Sequence, residues 1–135
     1  MLKKYFHIGI AVDTPDGLVV PVIRNADQKG LLALSHELAE LSGKARDKKL
    51  GPAEMAGGCF SISSLGGIGG TAFTPIINAP EVALLGVSRS AIKPVWNGKE
   101  FAPPLLLPVA LGYLHPLVDA AGASFSTRLL TTVPG

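Results

Sequence analysis

The sequence predicts an α+β domain, an α/β sandwich in which a mixed sheet carries two main helices. Three observations predict it. Short β-rich runs bounded by turn residues recur along the chain. One long segment carries a helical apolar stripe, and a second, alanine-rich segment lies at 119–130. The 135 residues suit one domain, and 47% apolar with 16% charged residues excludes a disordered chain.

The elements follow in order. Residues 7–12 (HIGIAV) and 18–23 (LVVPVI) are β-rich, and the Asp13-Thr14-Pro15-Asp16-Gly17 run between them makes a hairpin turn. Pro presets one backbone angle and Asp-Gly accepts a positive one. Pro21 sends the second strand to an edge or a bulge. Residues 30–49 form the clearest helix, because Leu31, Leu34, Leu38, Leu41 and Ala45 fall on one stripe. Lys44, Arg46, Lys48 and Lys49 gather where the helix dipole favours cations, and Gly51-Pro52 marks the stop.

Residues 59–64 (CFSISS) make a short strand, and the glycine-rich run 65–70 (LGGIGG) must then be a loop. Residues 82–87 are a buried strand. Residues 93–100 make a hairpin around Asn97-Gly98. Residues 105–111 (LLLPVAL) lack alternation, which predicts a second strand covered on both faces. Residues 119–130 form the second helix, with Asp119 as its N-cap.

Two long uncharged stretches, 55–80 and 101–118, require a membrane test. The first holds six glycines and two prolines, and the second holds Pro103, Pro104, Pro108 and Pro116. Neither composition suits a spanning helix, so no membrane association is expected. A net charge of +2 gives no electrostatic case for nucleic acid. A single cysteine, Cys59, excludes an internal disulfide and any cysteine-based zinc cluster, and among apolar neighbours it reads as an inert buried thiol.

Chemistry-bearing residues are few. His7 and His36 read as structural or surface residues. His115 follows Gly112-Tyr113-Leu114 at a strand end and precedes a helix with Asp119 four residues on, a common place for a site. On residue type alone it too reads first as structural. Ser61 and Ser63 alternate onto one face of their strand and Ser64 onto the other. The glycine run has no Gly-Lys-Ser/Thr ending and no G-x-G-x-x-G spacing, which excludes a nucleotide loop. The chain has no G-x-S-x-G elbow, no paired carboxylates and no metal-ligand spacing, so no metal is expected.

Several segments together are specific. They are residues 8–23 (IGIAVDTPDGLVVPVI), 44–50 (KARDKKL) and 60–81 (FSISSLGGIGGTAFTPIINAPE). Over residues 4–119 the chain resembles the C-terminal half of the catalytic domain of the dihydrolipoamide acyltransferases. These are core components of the 2-oxo acid dehydrogenase complexes, and the pyruvate-type acetyltransferases are most alike. The resemblance implies a partial chloramphenicol-acetyltransferase-like fold in residues 1–135, without the N-terminal half, lipoyl domain or subunit-binding domain. It implies acyl transfer between dihydrolipoamide and coenzyme A, both acting as substrates, with the lipoyl group carried on another chain. It further implies a homotrimer, with sites between neighbouring subunits, inside a larger core that meets lipoyl domains and other complex subunits. The compartment implied is the bacterial cytoplasm, or the mitochondrial matrix in a eukaryote.

In the resembling family the catalytic histidine has an Asp four residues later, which falls here on His115 and Asp119. The hydroxyl that faces the oxyanion falls on Ser63. Leu114, Pro116 and Ala120 stand where the family usually has Asp, Arg and Gly. Pro116 removes a backbone donor and pushes His115 towards extended angles. Phe125 comes one residue early, and the stretch from Ala121 to Gly135 fits the family poorly. Retained acyl transfer and a catalytically inactive, core-like piece with an assembly role both stay open, with an unrelated binding module as a distant third. Strands shaped to pack against an absent half also predict exposed apolar surface and self-association.

Overall fold

The computed structural model describes residues 4–67, 69–70 and 73–132. The first predicted hairpin is four short strands, β1 (Ile8–Ile10), β2 (Val12–Thr14), β3 (Gly17–Val19) and β4 (Val22–Ile23). β2 and β3 pair antiparallel around Pro15-Asp16, with Thr14 opposite Gly17. Gly17 takes φ 117, which a side chain would resist, and the Thr14 hydroxyl donates to the Gly17 carbonyl at 2.6 Å. Pro21 is fully buried between β3 and β4, and β4 is an edge strand, as a proline in this run requires.

Helix α1 (Leu31–Arg46) begins at Gly30 and stops three residues before the predicted end. Lys48 explains the stop. It takes a left-handed φ of 60; its N–H donates to the Ala45 carbonyl at 3.2 Å, and the Lys49 N–H donates to Lys44 at 2.8 Å. This is a Schellman closure with lysine where glycine is preferred. The loop that follows is held by Arg24, whose guanidinium donates to the carbonyls of Ala53 (2.9 Å) and Ala56 (3.0 Å). The Gly51 N–H donates to Glu54 at 2.8 Å, which holds that carboxyl below its ordinary range.

The remaining elements are β5 (Phe60–Ser64), β6 (Ala83–Val87), β7 (Ala91–Ile92), β8 (Val95–Trp96), β9 (Phe101–Ala102), β10 (Leu105–Leu106), β11 (Val109–Tyr113) and helix α2 (Ala120–Thr132). Five strands form one mixed sheet in the order β11-β6-β5-β1-β4. β5 runs parallel to β1 and β6, while β4 and β11 close the edges antiparallel. The α+β class with two main helices therefore holds.

Between β6 and β11 the chain leaves the sheet as a long two-stranded arm. Ile92 pairs with Leu105, Val95 with Ala102 and Trp96 with Phe101. The tip is the expected Asn97-Gly98 turn, with Gly98 at φ 97 and the Asn97 side chain accepting the N–H groups of Lys99 and Glu100 at 2.9 Å. Where arm meets sheet, residues 88–90 on one strand face residues 107–108 on the other. One strand thus carries one extra residue, a bulge. The run 105–111 is consequently not one covered strand. It breaks at Pro108, and Leu105 and Leu107 are 69% and 56% exposed, because no described part of this chain lies over the arm.

In-register residues share a face of the sheet. One face carries the small residues Gly9, Ser61, Ser63, Gly86 and Gly112 together with the buried Leu84 and Val22. The other carries Ile8, Ile10, Ile62, Leu85 and Leu111. On this aliphatic face α1 packs towards the β4 edge, and α2 contacts β11. The central Ile62, Leu85 and Leu111 stay half-buried. The α1 stripe is only partly used. Leu41 and Ala45 are buried, but Leu31 is 83% exposed, and Leu31, Leu34 and Leu38 border an apolar groove of about 430 Å³ against the sheet.

The chain exposes 9469 Å². A compact monomer of 13.9 kDa would expose roughly 6,700 Å². Two outcomes follow. Replacing Lys48 by glycine removes the left-handed strain and raises stability by about 0.5–1 kcal/mol in thermal or urea unfolding. The purified chain sediments well above its monomer mass at micromolar concentration; a single monomeric species would refute association through its apolar surface.

Candidate functional site

Strand β5 presents the serines. Ser61 is 4% exposed and Ser63 half-buried, both on the small-residue face, while Ser64 is exposed on the other. The Ser64 hydroxyl accepts the Gly66 N–H at 3.3 Å. The glycine-rich run begins there as expected, with Gly69 and Gly70 at φ 107 and 121; Ile68 lies outside the described residues. Ser61 and Ser63 line a cleft of about 400 Å³ whose opposite wall is the irregular segment around Phe73, Pro75 and Ile76.

That wall lies directly on the strands. A side chain at Gly86 would come within 2.9 Å of the Phe73 ring, and one at Gly112 within 3.4 Å of the Pro75 carbonyl. At the far end the Ser61 hydroxyl donates to the Glu81 carboxylate at 2.8 Å. Sequence reasoning did not single out Glu81. The available signal was its place as the first charge after 26 uncharged residues, at the entrance to a buried strand.

His115 leaves the end of β11. The Leu114 N–H still donates to Val82 at 2.9 Å, and the Leu114 carbonyl then accepts Leu117 (2.9 Å) and Val118 (3.0 Å), closing a tight turn. The His115 ring is exposed, with the Tyr113 ring centroid 6.2 Å away. Among the described residues its side chain has no hydrogen-bond partner. Asp119 ends the turn as expected: its carboxylate accepts the Gly122 N–H at 2.7 Å and caps α2.

The structure brings His115 and Asp119 to one turn, but it does not bring Ser63 to them. Ser63 lies level with Gly86, and Gly86 with Ala110. β11 then carries the chain away from that level for three more residues before the turn. Strand spacing and rise put the Ser63 and His115 α-carbons on the order of 15 Å apart. Their side chains do not meet within this chain. His7 and His36 take no part. The His7 ring accepts the Asn25 N–H at 3.0 Å, and His36 lies exposed on α1. The Cys59 thiol is half-buried and donates to the His7 carbonyl at 3.1 Å. Among the described residues no three His, Cys, Asp or Glu side chains gather to hold a metal, and no helix is long and apolar enough to cross a membrane.

Residues 1–133 match the family described as 2-oxoacid dehydrogenases acyltransferase (catalytic domain). The chain is 66% identical over 128 residues to the dihydrolipoyllysine-residue acetyltransferase component of the pyruvate dehydrogenase complex of Azotobacter vinelandii, covering 94% of this chain and 20% of that protein. It is 62% identical over 130 residues to the same component from Haemophilus influenzae, covering 96% and 23%. A structure of the Azotobacter vinelandii dihydrolipoamide acetyltransferase, solved to investigate a serine, a histidine and an asparagine in its catalytic mechanism, matches with TM-score 0.93 and 64% identity. That match covers 96% of this chain and 54% of the other. The cubic core of a pyruvate dehydrogenase multienzyme complex matches with TM-score 0.91 and 64% identity, covering 95% and 53%. The chain thus spans about half the solved catalytic chains and about a fifth of the full-length relatives.

Proposed function

Because the chain belongs to the family of 2-oxoacid dehydrogenase acyltransferase catalytic domains, we propose that it supplies the C-terminal half of a site moving an acetyl group between dihydrolipoamide and coenzyme A. The spacing of Ser63, His115 and Asp119 carries this reading. The serine, histidine and asparagine investigated in the Azotobacter vinelandii enzyme stand 52 and then four residues apart, as these three do here. Aspartate replaces the asparagine, and at this position it caps α2.

The roles follow from ordinary chemistry. A thiol with pKa near ~8.5 is mostly protonated at neutral pH, while an imidazole near ~6.5 is mostly neutral. His115 takes the coenzyme A thiol proton as the sulfur attacks the carbonyl carbon of the S-acetyl-dihydrolipoyl thioester. The carbonyl oxygen gains the negative charge, and the Ser63 hydroxyl donates to it. The intermediate collapses by breaking the bond to the dihydrolipoyl sulfur, which recovers the proton from the imidazolium. Asp119 holds the turn that aims His115. No acyl-serine is required.

The register of the sheet supports a site shared between chains, with Ser63 from one copy and His115 from its neighbour in a homotrimer. Relatives that form a cubic core support assembly of such trimers, with lipoyl domains as the partners that bring the acetyl group. Relatives from bacteria support a cytoplasmic setting. An inactive, structural piece of such a core is the second reading, favoured by a His115 that has no hydrogen-bond partner among the described residues and stands beside Pro116.

The test is acetyl transfer from acetyl-coenzyme A to dihydrolipoamide with purified chain. His115→Ala is expected to lower kcat about 10²–10⁴-fold, and Ser63→Ala about 10²–10³-fold with little change in KM. Co-expressing the two inactive variants restores about a quarter of the sites, since random mixing across a heterologous interface pairs one intact serine with one intact histidine that often. No recovery would refute a shared site, and no turnover in the folded parent chain would favour the structural reading.

A further inference from the structure

We propose that Glu81 is a positioning residue for Ser63, acting through Ser61 and the irregular segment that walls the serine cleft. This rests on the assignment of Ser63 to acyl transfer. Residues 73–81 cross the small-residue face without helix or strand. The first part is seated on glycines, with the Phe73 ring over Gly86 and Pro75 over Gly112. The last part is seated on Gly58, where a side chain would come within 2.8 Å of the Glu81 carboxylate. It folds into a turn, in which the Glu81 N–H donates to the Asn78 carbonyl at 3.0 Å, and the Glu81 side chain reaches back to β5.

The anchor on β5 is firm. Ser61 is 4% exposed, and its hydroxyl is packed over Gly9 so closely that a side chain at Gly9 would collide with it. Its one hydroxyl proton goes to Glu81 at 2.8 Å. Ser63 is the next residue on the same face of the same strand. Ser61 borders both the cleft that holds Ser63 and a neighbouring pocket of about 350 Å³, and the Glu81 side chain lines only the second. Glu81 therefore stands behind Ser61, outside the reaction cleft, and sets the distance between the wall segment and the serine strand. An acceptor oxygen performs this task, so glutamine retains it and alanine does not.

The experiment reads the cleft directly, whether or not the chain turns over. With Cys59→Ser removing the native thiol, Ser63→Cys serves as a probe alkylated by iodoacetamide. Glu81→Ala and Ser61→Ala are each expected to raise the alkylation rate about five-fold, the worth of one hydrogen bond. Glu81→Gln stays within about two-fold of the parent, and the double alanine variant is no faster than either single, as two ends of one interaction require. Unfolding temperatures are measured alongside. If Glu81→Ala fails to fold, Ser61→Ala carries the test, because it removes only the donor. Parent-like labelling in Ser61→Ala, glutamine behaving like alanine, or additive effects in the double variant would each overturn the proposal. Absent acetyl transfer with the expected labelling pattern would overturn the catalytic reading of Ser63 and leave the Glu81 anchor standing.

Discussion

The close approach of an irregular segment to one face of the sheet is the constraint on which the rest depends. Large side chains would hold that segment off. Gly86 and Gly112 allow Phe73 and Pro75 to rest on the strands, and Gly9 leaves room for Ser61. The serine cleft exists because glycines on this face let the segment come close, and its lining mixes the two serines with Leu84, Phe73 and Ile76. The opposite face carries Ile8, Ile10, Ile62, Leu85 and Leu111, all half-buried, with α1 against its β4 end. The glycines and serines thus gather on one face, around Leu84 and Val22, and the remaining branched aliphatics on the other.

What was legible in the sequence was local. The Asn97-Gly98 and Asp16-Gly17 turns, the Asp119 cap and the period of α1 each depend on a few neighbouring residues, and all appear as expected. What was illegible depended on cover from elsewhere. Leu31 continues the stripe of α1 yet faces solvent, and the run 105–111 looks doubly buried yet half of it is exposed. Periodicity reports which face is apolar, but not what lies against it. The site divides in the same way. Ser63, His115 and Asp119 were singled out by a resemblance in motif and spacing, which chain order preserves. Glu81 meets Ser61 across 20 residues through sheet register, and nothing local announces that pairing.

The large apolar exposure and the separation of Ser63 from His115 have a common physical meaning. A surface of 9469 Å² is more than a compact chain of this mass exposes. Ser63 and His115, on the order of 15 Å apart, do not meet within one chain. Both needs are met by the same remedy, further polypeptide packed against this one. Family membership and the half-length match to solved catalytic chains agree with that remedy.

The extra residue at 88–90 governs the heading of the arm. A bulge bends its strand and adds twist, so the direction in which Trp96 and Phe101 project is set by the length of the chain there more than by side-chain identity. Such a joint resists change in length. A one-codon deletion would leave every downstream pairing possible while swinging the whole arm to a new bearing. The exposed Arg89 and Ser90 are therefore the replaceable part of this joint, whereas the buried Ser88 and the residue count fix where the arm points.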